Sequence, residues 1–355
     1  MTETELLTLR LYNQRLIHSD LKTPHDVATW LGGIQAQEVL SSLYAVGLRL
    51  PGATEAGVES ALADRSIARA WPMRSTIHFM PAEDALWTTQ LLGPRQNKKS
   101  ASVYRKYGLT EDLFNKARPI LEKSLAEGPK IRSELTKDLA AGGVDTSDGR
   151  GMLIFKYWGQ EGVLCIGPRH GKQQTLALLA SWAAKNNTPG NDEEAFFILA
   201  QRYFQSHGPA TLRDFVWWTG ATVAECKRAL EASKDQLISE VFHGQEYFFK
   251  PHKTVPALDN TKALLLPAFD EYTVAYADRR AVMQTDDIKQ VSYGINPNII
   301  IDGRAVGMWK RILKTKKTVV VLQPFTPFTT EQHRAIEKAV AEFGRFMGVP
   351  IEIKE

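Results

Sequence analysis

Two stretches of this chain repeat one another, and that repetition restricts the fold more than any other feature. "EGPKIRSELTKDLAAGG" (residues 127–143) resembles "HGPATLRDFVWWTGA" (residues 207–221). In each, a helix ends at Gly-Pro, and a short second helix with apolar residues at helical spacing stops at glycine. "SDGRGMLIFKYWGQEG" follows the first copy and "TVAECKRALEASKDQ" the second, both helical in period. Each then runs into alternating apolar residues, "VLCIGPRHGKQQTLAL" and "LISEVFHGQEYFFK", read as a hairpin with glycine at its tip. Helix, turn, helix and hairpin in that order is the arrangement of a winged helix-turn-helix.

A third copy fits the N-terminal region. "TPHDVATWLGG" (residues 23–33) opens with a cap residue and a proline at the first helical position, and ends on glycine. "IQAQEVLSSLYAVGLRL" then takes the place of the second helix, and "IARAWPMRSTIHFM" supplies the wing strands. From about residue 262 the pattern changes. "KALLLPAF", "NPNIIIDGRAVGMWKRIL" and "KTVVVLQPF" read as strands, with Asp302-Gly303 as a hairpin turn. "TTEQHRAIEKAVAEFGRFMG" is an amphipathic helix opened by a threonine cap. This last part reads as a small β-barrel or a sheet closed by a helix. The expected class is therefore α+β: winged helix-turn-helix modules at 1–95, 96–190 and 191–255, then a β-barrel-like domain at 256–355.

The 355 residues, 43% hydrophobic and 24% charged, suit a chain of several globular modules. No signal pattern and no membrane-length apolar run is present, and Cys165 and Cys226 lie far apart without CxxC spacing. These features place the chain in the cytoplasm. The net charge of +4 is unremarkable, but its distribution is uneven. "RQNKKSASVYRK" (residues 95–106) has five basic residues and no acid, and "GRAVGMWKRILKTKKT" (residues 303–318) has six and none. A basic run is ordinarily a solvated face; two in one chain suggest a polyanionic partner.

Several chemistries find no support. The eight histidines show no HxH, HxxxH or HExxH spacing, so no metal or other cofactor is expected. "GPRHGK" (residues 167–172) imitates a P-loop, but it is one residue short, lacks the Ser or Thr, and sits between strands. Asp270-Glu271, in "PAFDEYTVAY", reads first as a turn or cap at a strand end and only second as a catalytic acid.

"GGIQAQEVL" is different. Gln35 and Gln37 sit where a helix begins, among free N–H groups at the positive end of its dipole. Residues i and i+2 diverge on a helix and share a side in extended chain. The two amides converge only if the segment enters its helix through an irregular first turn, which Gly32-Gly33 permits.

"GGIQAQEVLSSLYAVGLRL", "RAWPMRSTIHFMPAEDALW", "LCIGPRHGKQQTLALL", "SHGPATLRDFVWWTG", "LLPAFDEYTVAYADR" and "IIIDGRAVGMWKR" together resemble, in order, the AlkZ/YcaQ-type winged-helix DNA glycosylases. The similarity runs from about residue 5 to 350. It implies tandem winged helices and a β-barrel around a concave basic DNA channel. It also implies a catalytic glutamine–hydrophobic–glutamine motif in the AlkZ-like branch, with aspartate as the last residue in the other branch. Gln35-Ala36-Gln37 fits the first, with a small alanine where a larger apolar residue is usual.

The chemistry suits amides. An N3- or N7-alkylated purine is already cationic and leaves readily as a neutral base, so the protein mainly has to hold the sugar and place a water. A carboxamide oxygen can orient that water without acting as a general base. Gln37 is assigned to the water and Gln35 to the nucleotide or the same water. No lysine nucleophile stands beside the pair, so a monofunctional enzyme leaving an abasic site is expected. It would act as a monomer on double-stranded DNA at the nucleoid, with no membrane involved. Arg69, Arg74, His78 and Arg169 on the wing strands, with Arg304, Lys310 and Arg311 near the last hairpin, are the candidate DNA contacts. His78 could equally be a core residue, and the last three a solvated edge. Trp217-Trp218 read as core. The rivals are a winged-helix regulator whose glutamines read adenine edges from a recognition helix, and a non-catalytic structural DNA binder.

Overall fold

The computed structural model describes the chain except residues 183–187, 253, 256, 259–261, 285–294, 315–316 and 355, so Lys316 of the second basic run lies outside the described residues. The chain divides into two compact units. One comprises Met1–Glu59, Phe196–Trp218 and Thr222–Glu355, the other Ser60–Ala195 and Thr219–Ala221.

In the second unit five antiparallel strands run in the order Thr76–Pro81, Ile67–Met73, Leu164–His170, Gln173–Leu178, Lys130–Ile131. The hairpins read as two separate wings thus share one sheet, joined where Arg69 meets Ile166. Strand Ile67–Met73 is buried along its whole length and packs on helix Ala82–Lys99. A strand covered on both faces has no reason to alternate, and "IARAWPM" does not. The first repeat is laid out as helix Glu111–Leu125, strand Lys130–Ile131, helices Arg132–Ala141 and Arg150–Gln160, and the hairpin Leu164–His170 with Gln173–Leu178. "GPRHGK" spans this hairpin's tip, with strands on both sides.

Apart from Thr219–Ala221, the first unit holds the second repeat: helices Leu212–Thr219 and Val223–Ser233, then the hairpin of Ile238–Phe242 and Gln245–Phe249. Ala210 bridges Phe248 of this hairpin, as Lys130 pairs with Leu176 in the first repeat. In both copies, therefore, the residues after Gly-Pro join the hairpin's second strand.

The remainder of that unit is a five-stranded sheet in the order Ile351–Lys354, Thr318–Pro324, Arg304–Leu313, Asn298–Ile301, Ala263–Leu266. Asp302 (φ 51°) and Gly303 (φ 78°) make the expected two-residue turn between Ile301 and Arg304. The barrel expected here does not form among the described residues. Closure needs the edge strands to pair, and Ile351–Lys354 and Ala263–Leu266 do not. The apolar face is covered instead by helix Thr330–Met347, which buries Ala335, Ile336, Ala339, Val340, Phe343 and Phe346. The Phe343 ring lies 4.7 Å from Tyr44 and 5.1 Å from Trp309, edge to face, linking helix Val39–Gly47 to the sheet.

Candidate active site

Helix Pro24–Leu31 opens with a Thr23–Asp26 capping box and stops at Gly32, whose φ of 69° a side chain would resist. The chain is then extended at Ile34–Gln35 and becomes helical again only at Val39. Gln35 and Gln37 therefore precede the helix, on the irregular entry that the glycines permit. Gln35 is 7% exposed, Ala36 is wholly buried, and Gln37 is exposed. Glu38 ends the segment as the N-cap of helix Val39–Gly47, accepting from the Ser41 N–H at 2.7 Å and pairing with Arg311 at 2.9 Å. Partial burial works against its charge, but the Ser41 hydrogen bond and the Arg311 guanidinium hold its carboxyl below the ordinary value.

Beneath this segment lies a buried polar cluster. The Gln35 backbone N–H donates to Glu271 Oε1 at 2.8 Å. The other carboxylate oxygen accepts from Trp218 Nε1–H at 3.2 Å and faces His207 Nε2 at 3.6 Å. Glu271, Trp218 and His207 are all inaccessible to solvent. Asp270, the preceding residue, caps helix Glu271–Val274 through the Tyr272 N–H and binds both terminal nitrogens of Arg49 at 2.8 Å. Arg49 also donates to Gln14 O, Gln14 Oε1 and Ala45 O, so all five of its N–H bonds are used. A buried ion pair is tolerable only when its hydrogen bonds are completed in this way. The sequence reading of Asp270 as a cap thus holds, while Arg49, His207 and the burial of Glu271 went unrecognised. The one local signal was an acidic pair directly after an apolar strand.

Among the proposed DNA contacts, Arg69 is buried at 3% and His78 completely. His78 Nδ1 donates to Thr76 O at 3.1 Å, which leaves Nε2 to accept from Arg74 Nη2 at 3.1 Å. Arg74 and Ser75 form the hairpin tip with φ of 53° and 61°, a conformation unfavourable to residues with side chains. His78 therefore acts on Arg74 within this hairpin. Arg169 is exposed on its strand. In the other unit Lys310 is exposed, Arg304 pairs with Glu3 at 2.8 Å, and Arg311 pairs with Glu38. In the first basic run Lys98, Lys99, Arg105 and Lys106 are exposed.

Trp218 is core as expected, but Trp217 is 45% exposed, its indole N–H donating to Val274 O at 2.9 Å. Neighbours on a helix point about 100° apart, so a short helix with one buried face takes only one of the two.

A family model described as "DNA glycosylase AlkZ-like" matches residues 28–346. An interstrand DNA cross-link repair glycosylase of Streptomyces sahachiroi is 24% identical over 362 residues, covering 97% of this chain and 96% of its own. The solved structure of the Streptomyces sahachiroi DNA glycosylase AlkZ superposes with a TM-score of 0.78 at 24% identity, covering 99% of both chains. The extent of the family match settles the kinship: this chain belongs to the AlkZ-like DNA glycosylases.

Proposed function

We propose that this protein is a monofunctional DNA glycosylase that hydrolyses the N-glycosidic bond of N3- or N7-alkylated, cationic purines and leaves an abasic site. The observation that carries the reading is the Gln35–Gln37 segment itself. It offers one nearly buried amide at the end of a short extended stretch and one exposed amide in the bend that follows, both outside any helix. Gln37 orients the attacking water and Gln35 contacts the nucleotide or the same water. Positioning of this kind supplies roughly 7–11 kcal/mol in favourable cases, enough for a leaving group that is already charged. The name of the Streptomyces sahachiroi relative, an interstrand DNA cross-link repair glycosylase, supports extending the substrate to interstrand crosslinks.

The order of helices and hairpins in the two repeats supports winged-helix modules gripping the duplex, with Arg74, Arg169 and Lys310 among the phosphate contacts. His78 acts from behind Arg74, and Arg69 is buried in the same sheet. The enzyme works as a monomer at the nucleoid. A regulator would carry its reading residues on the recognition helix, and these glutamines stand before theirs.

Incubation with duplex DNA methylated at guanine N7, followed by alkali, tests the reading. Wild-type protein should give strand breaks. Gln37→Ala should lose about a hundredfold in rate with DNA affinity retained. Gln35→Ala should lose less, and Gln37→Asp should keep partial activity. Full activity in the double alanine variant removes the water-positioning mechanism. Sequence-selective binding to undamaged DNA without base release replaces the enzyme with a regulator.

A further inference from the structure

We propose that Glu271 is the positioning residue of the glutamine motif: its buried carboxylate clasps the Gln35 backbone and so sets where both amides point. The inference rests on the glycosylase reading above. Glu271 is not needed to begin its own helix, since Asp270 already serves as the N-cap. Nor is it a surface acid, since it is 0% exposed, and removing a carboxylate from water costs several kcal/mol. What the burial achieves is a contact across 236 positions of sequence, from Oε1 to the Gln35 N–H at 2.8 Å. At that distance the N–H and the carboxyl oxygen make a short, directional bond.

The clasp is held from behind. Oε2 accepts from Trp218 Nε1–H, and His207 faces the same oxygen. The orientation of His207 follows from its neighbours. The Ser206 hydroxyl hydrogen is committed to Arg202 O at 2.6 Å, so the 2.8 Å contact between Ser206 Oγ and His207 Nδ1 is made by Nδ1–H. The ring is thereby fixed with Nε2 3.6 Å from Glu271 Oε2, longer than a hydrogen bond, so of these two neighbours Trp218 is the hydrogen-bonding anchor. The Tyr203 ring stacks on the imidazole at 4.9 Å and 11°, and Asp270 with Arg49 fixes the helix that carries Glu271. His207 and the helix that carries Glu271 are thus themselves held in place. Gln37 follows Gln35 by two positions, before the next helix begins at Val39, so displacing the Gln35 backbone shifts the stretch that carries Gln37 as well.

A structural clasp and a positioning clasp differ in what their loss affects. Single-turnover excision from N7-methylguanine duplex, measured beside Kd for the same duplex, separates them. Glu271→Ala should lower the excision rate about a hundredfold while Kd changes less than about threefold, as expected for misplaced catalytic groups. Glu271→Gln keeps a carbonyl acceptor for Gln35 and should recover at least about tenfold of that loss, the worth of one restored hydrogen bond. Trp218→Phe removes one anchor and should slow excision about fivefold. An unchanged rate in Glu271→Ala, a glutamine variant no better than alanine, or equal losses in rate and affinity would overturn the assignment. Should Glu271→Ala fail to fold, Trp218→Phe decides, and an unaltered rate there overturns the assignment as well. Amide exchange provides a readout independent of catalysis. The Gln35 N–H of the wild type should exchange as slowly as core amides, and rapid exchange in the folded protein refutes the clasp. If the wild type releases no base at all, the glycosylase reading fails, while amide exchange still reports on the clasp.

Discussion

Around Gly128-Pro129 the polar side chains face water, whereas around Gly208-Pro209 their counterparts are buried. Glu127 is exposed where His207 is inaccessible. Glu134 accepts from the Ile131 N–H at 3.1 Å from an exposed position. Asp214, at the same place in the second repeat, is 3% exposed and accepts from the Thr211 N–H, the Thr211 hydroxyl and the Ala277 N–H, each at 2.9 Å. Asp138, bonded to Ser124 and Lys130, corresponds to Trp218, which is bonded to Glu271. The two copies share an order of helices and hairpin and differ in what the second helix has been made to carry. In one it is an ordinary surface helix. In the other it supplies the wall of a polar cluster under the glutamine motif. Repetition accounts for the backbone; the buried hydrogen bonds account for the specialisation.

That contrast can be broken or sharpened by substitution. Asp214→Ala should cost about 3–5 kcal/mol in urea unfolding, because it leaves buried donors, and Arg10 at 3.9 Å, without their acceptor. A loss below about 1 kcal/mol would erase the distinction between the copies. Glu134→Ala, its counterpart, should stay within about 1 kcal/mol, the worth of an exposed cap. The smallest effect concerns Asp138. The Ser124 hydroxyl, and then Lys130, hold its carboxyl below the reference value of 3.8. The folded value is depressed, so its stabilisation is present above 3.8 and disappears as pH falls through the lowered value. Asp138→Asn should therefore flatten only the acid limb of the stability curve, and slightly, since water screens the group. A change near neutral pH would contradict this origin.

What could be read in the sequence was what short spans determine. The Thr23-Pro24 helix start, the glycine break before the glutamines and the Asp302-Gly303 turn each follow from the conformations their own residues allow. The last domain was harder. Strands were recognisable, but whether a sheet closes depends on its edges, and the edge strands Ala263–Leu266 and Ile351–Lys354 carry no local mark of their pairing. Glu271 was harder still. Within "PAFDEY" it looks like a surface residue at a helix start, and its partners are 236 and 53 positions away. Trp217 and Trp218 were indistinguishable in composition, and only the helix phase separates the exposed ring from the buried one.

Ala36, between the two amides, has no solvent exposure. Its methyl group is enclosed by the fold at the point between the buried Gln35 and the exposed Gln37. A larger side chain there has no solvent-exposed space to enter, so it would displace the segment that carries both glutamines while leaving each amide chemically intact. On the glycosylase reading proposed above, substrate reach would be adjustable through a residue that takes no part in the chemistry.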